Sequence, residues 1–121
     1  MAWSMDARIP LTLVDDDAAL AAALAAGPKA AVLAETPAPP AMAAVAGEDF
    51  DASMPHAVAC ACCHGRAPAA AALDRLFLAR VRGQCPWFER VVALAGTSAA
   101  RDQVAAALAG DAVTLARFRL A

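Results

Sequence analysis

Basic residues are few and scattered in this chain: one lysine and nine arginines stand against twelve acidic residues, and the formal net charge is −2. No stripe of positive charge gathers along any segment, so the electrostatic footprint of a nucleic-acid binder is missing and no nucleic-acid partner is expected. Long apolar runs are lacking as well. No basic segment leads into an uninterrupted hydrophobic stretch near the N-terminus, and Asp15, Asp16 and Asp17 interrupt the only candidate. Neither a signal peptide nor a membrane span is therefore expected, which points to a cytoplasmic protein with no membrane partner and with its cysteines reduced.

What is present is a chain of 121 residues, 61% hydrophobic, in which much of the hydrophobic share is alanine. That length suits a single domain over residues 1–121 with one modest core. Alanine contributes little burial per residue, so the core is expected to be thin and to rest on scattered leucine, valine and phenylalanine.

Residues 9–14 read as a short buried strand, followed by an acidic triplet suited to cap a helix over 18–26 that Gly27-Pro28 stops. Residues 30–34 form a second apolar strand. The prolines at 37, 39 and 40 mark 36–52 as a proline-rich loop. A third strand is expected over 56–60. Pro68 then opens a long helix with Leu73, Leu76, Phe77 and Val81 on one face, ending near Gly83. A fourth strand spans 90–95, Gly96-Thr97-Ser98 forms a turn with a cap, and a helix over 99–109 turns Val104 and Leu108 inward. The stretch 111–121 fits strand and helix equally. Alternation of this kind predicts an α/β fold: a small parallel sheet in a three-layer domain, with its functional site at the carboxyl ends of the strands.

The densest chemistry lies in Cys60-Ala61-Cys62-Cys63, followed by His64 and Arg66. Three thiols within four positions can meet around one divalent cation, and the spacing is too tight for ordinary disulfide geometry. The expected ligands are Cys60, Cys62 and Cys63, holding Zn²⁺ (or Co²⁺ or Ni²⁺), with a fourth ligand from His64, His56, Cys85 or water. A following helix N-terminus and Arg66 would favour thiolate over thiol. The alternatives are relic, inert cysteines, or redox chemistry between Cys60 and Cys63, which stand at dithiol separation. Cys85, beside Pro86 and Trp87, reads as a packing residue, and Trp3 and Trp87 as candidate interface residues. The acidic triplet stabilises a helix start without any ligand, a hard cation being its alternative use.

Taken in order, these residues resemble the GTPase domain of the CobW family, the metallochaperone-type P-loop GTPases. Ala59-Cys60-Ala61-Cys62-Cys63 and Arg66 look like the family's Gly-Cys-x-Cys-Cys run with its later arginine. Ile9-Pro10-Leu11-Thr12-Leu13 looks like the opening strand, Ala31-Val32-Leu33-Ala34-Glu35 like the second, and Phe88-Glu89-Arg90-Val91-Val92 like the strand before the Glu-Thr-x-Gly segment. Leu115-Ala116-Arg117-Phe118-Arg119-Leu120 resembles the run before the next strand. Glu35 stands where the family has a carboxylate near nucleotide and metal.

The departures concern every part that handles GTP. A Gly-rich loop ending in Gly-Lys-Ser/Thr would cradle the phosphates and hold Mg²⁺; here Asp15, Asp16 and Asp17 follow the first strand instead. Leu94-Ala95-Gly96-Thr97 and Ala99-Ala100-Arg101 replace the later acidic segments. The resemblance thus implies a degenerate, truncated relative lacking the P-loop: a P-loop-NTPase-like pseudo-GTPase that binds no nucleotide and is not an enzyme. The expected function is to hold or transfer a divalent metal ion. The alternative is an interaction module that pairs with itself, as a homodimer, or with a full-length GTPase relative.

Overall fold

A computed structural model describes residues 7–36, 44–52 and 67–121. The elements are β1 (Ile9–Val14), α1 (Asp17–Ala25), β2 (Ala30–Glu35), β3 (Ala46–Phe50), α2 (Pro68–Val81), β4 (Arg90–Leu94), α3 (Ser98–Gly110), α4 (Ala112–Arg117) and β5 (Phe118–Leu120). The five strands form one sheet in the order β3-β2-β4-β1-β5, and every pairing is parallel. The predicted α/β class, with helices covering a parallel sheet in three layers, is what the molecule has.

Burial on both faces explains the strand sequences. Strands covered from both sides read as continuous apolar runs rather than alternating ones, and β2 (Ala-Ala-Val-Leu-Ala-Glu) and β4 (Arg-Val-Val-Ala-Leu) do so. Leu11 pairs with Val91 on one side of β4, and Ala31 pairs with Val91 on the other. Successive residues of each strand then feed opposite layers. Leu11, Leu33, Val91 and Phe118 meet Leu73 and Leu76 of α2 and Val104 of α3. Val32, Val92 and Leu94 face Leu20 of α1 on the other side. The large, fully buried apolar side chains are phenylalanine, leucine and valine, led by Phe88 and Phe118, as the alanine-rich composition predicts.

The helix ends follow from local chemistry. Asp16 caps α1 by accepting from the Ala19 amide at 2.7 Å. Pro68 occupies the first turn of α2, and Gly83, at φ 69°, takes the left-handed conformation that ends it. Thr97 caps α3. The stripe on α2 is narrower than predicted: Leu73 and Leu76 are buried and Phe77 meets Phe118 edge to face at 6.3 Å, but Val81, in the last turn, is 52% exposed.

One reading is corrected and one ambiguity resolved. Residues 36–52 were expected to form a loop, yet 46–50 are strand β3; the prolines that suggested a loop all lie before it, and 46–50 contain none. Residues 111–121, which fit helix and strand equally, are both in turn: Asp111 caps the short α4 by accepting from the Thr114 amide, and Phe118 begins β5. The third strand expected over 56–60 lies outside the described residues.

Helix α1 is nearly all alanine and leucine, and Leu20 is its buried residue. A second anchor holds its C-terminal end. The Arg90 guanidinium, at the start of β4, donates to the carbonyls of Ala23 at 2.8 Å, Leu24 at 3.1 Å and Pro28 at 2.8 Å. The guanidinium thus joins the last turn of α1 and the turn that follows it to the sheet, and a cation at a helix C-terminus also suits the helix dipole. Replacing Arg90 with alanine should lower unfolding free energy by about 2 kcal/mol in a urea titration. Lysine should recover less than half of that, because one ammonium cannot span three carbonyls.

Candidate functional site

In an open parallel sheet, ligands bind where adjacent strands send their following helices to opposite faces. Here β1 leads into α1 on one face and its neighbour β4 leads into α3 on the other. The crevice at their carboxyl ends brings together the turn at Asp15, the turn at Gly96 and Thr97, and Glu35 from the end of β2. A Cβ built on Gly96 would lie 3.7 Å from the Asp15 carbonyl oxygen and 3.9 Å from Glu35 Oε1, which shows how closely the three segments meet.

Glu35 organises this crevice. Its Oε1 accepts from the backbone amides of Gly96 at 3.1 Å and Thr97 at 3.2 Å, and its Oε2 accepts from the Thr97 hydroxyl at 2.7 Å. The same hydroxyl oxygen accepts from the Ala100 amide at 3.1 Å. A chain of bonds thus runs from the first turn of α3 through Thr97 to a carboxylate supplied by β2. At the other helix start, Asp16 does the equivalent work for α1. Amides that an anionic ligand would use at a helix N-terminus are engaged by the protein's own oxygens. The charge points the same way, because Asp15, Asp16, Asp17 and Glu35 set like charge against any phosphate that approached.

The metal ligands expected from sequence, Cys60, Cys62, Cys63 and His64, lie outside the described residues, as do His56 and Arg66. In chain order they fall between the end of β3 and the start of α2. Cys85 is half-buried against the main core and stands beyond the C-terminal end of α2, a helix of 14 residues that spans about 21 Å. Its neighbourhood is a packing one: Arg80 lies 3.5 Å from the centroid of the Trp87 ring and donates to the Phe88 carbonyl. Burial lowers the Arg80 pKa, opposed by the charges of Cys85 and Glu89. Trp87 is 57% exposed, with this guanidinium stacked on it. Among the described residues, no group of three or more His, Cys, Asp or Glu is arranged to hold a metal, the acidic triplet included.

No protein-family model matches the chain, and neither a curated protein nor a solved structure matches it. The likeness to CobW-type domains therefore rests on the quoted residues. Among the described residues, no helix is long and apolar enough to cross a membrane.

The sequence offered Glu35 only as the counterpart of the family's carboxylate near nucleotide and metal; in the structure it ties β2 to the start of α3. Changing Glu35 to alanine should cost about 1–2 kcal/mol of stability, the range for a charge-assisted bond to a helix start. Amide exchange at Gly96 and Thr97 should accelerate while exchange in the centre of β4 changes only with global stability. Glutamine, which keeps one acceptor oxygen, should fall between the two.

Proposed function

We propose that this chain is a non-enzymatic, cytoplasmic metal-binding protein. It holds or transfers Zn²⁺, or Co²⁺ or Ni²⁺, through Cys60, Cys62 and Cys63 with His64 as fourth ligand, and it uses no GTP. The observation that carries the nucleotide-free part of this reading is the crevice itself. Both helix starts there are capped by the protein's own oxygens, Asp16 for α1 and Thr97 backed by Glu35 for α3. A triphosphate would have to displace these carboxylates and face Asp15 and Asp17 as well.

The metal part rests on the chemistry of the cysteine run. Thiolate sulfur is a soft donor that suits Zn²⁺ and its neighbours, and three protein ligands with an exchangeable fourth position favour transfer over permanent structural binding. The helix that follows in sequence begins at Pro68, with its Ala69 amide held by Gln103 of α3. The partial positive charge of that helix start would favour thiolates close to it.

Native mass spectrometry of the reduced protein, purified without chelator, tests the metal reading. The expected result is one metal ion per chain in the native protein and none when Cys60, Cys62 and Cys63 are all changed to serine. Absence of metal from the native protein after addition of Zn²⁺ would refute the reading. GTP with Mg²⁺ should leave the melting temperature unchanged, and a rise proportional to the logarithm of GTP concentration would refute the nucleotide-free part.

A further inference from the structure

We draw no further inference here: the strongest candidate, the exposed apolar side chains Val81 and Trp87 at the turn between α2 and β4, already has the Arg80 guanidinium stacked on the Trp87 ring, and nothing in the structure shows what covers the remainder.

Discussion

Strand β4 has to be covered on both faces. It is paired in parallel on each side, by β1 and by β2, and Val91, Val92 and Ala93 are all fully buried. From that constraint the remaining architecture follows. The larger core lies under α2 and α3 with Phe88 and Phe118, and the smaller lies under α1. Because the helices after β1 and β4 leave on opposite faces, a crevice opens between them at the carboxyl edge. The fold's natural ligand position is thus a by-product of burying its central strand.

An alanine-rich chain has little apolar area with which to fasten the outer layers, and polar groups take up the task. Leu20 is the buried residue of α1, and Arg90 ties the far end of that helix to β4 through three carbonyls. Glu35 ties β2 to the start of α3, and Arg117 pairs with Asp74 while its guanidinium lies over Phe77, joining α4 to α2. Gln103 of α3 accepts from the Ala69 amide at 2.7 Å and so fixes the first turn of α2. Each contact satisfies backbone or charged groups that would otherwise compete for water. The same economy fills the crevice with the protein's own carboxylates.

Much of the fold was legible along the chain. The apolar runs of β1, β2 and β4 and the alternation with helices implied a parallel sheet, and the caps at Asp16 and Thr97 and the stops at Gly27 and Gly83 marked helix ends by local stereochemistry. Strand β3 was not legible, because Gly47, Glu48 and Asp49 are poor strand formers; pairing with β2 imposes the strand, from Ala31 opposite Ala46 to Glu35 opposite Phe50. The exposure of Val81 was hidden too, since helical spacing cannot say which turns of a helix the sheet covers. Of the site, the cysteine run stood out by composition, whereas the roles of Glu35 and Arg90 left no local signal. Their partners lie 61 and more residues away in sequence.

The sequence by itself determined the types of most elements, β3 and the stretch 111–121 apart, together with the helix caps, the α/β class and the presence of a thiol-rich segment, because these depend on backbone preferences and on neighbours within a few residues. Only the tertiary structure decided the strand order β3-β2-β4-β1-β5, the two-sided burial of β4 and the union of Glu35 with Thr97. Those features arise between segments far apart in the chain, where burial and hydrogen-bond geometry, rather than local propensity, select the arrangement.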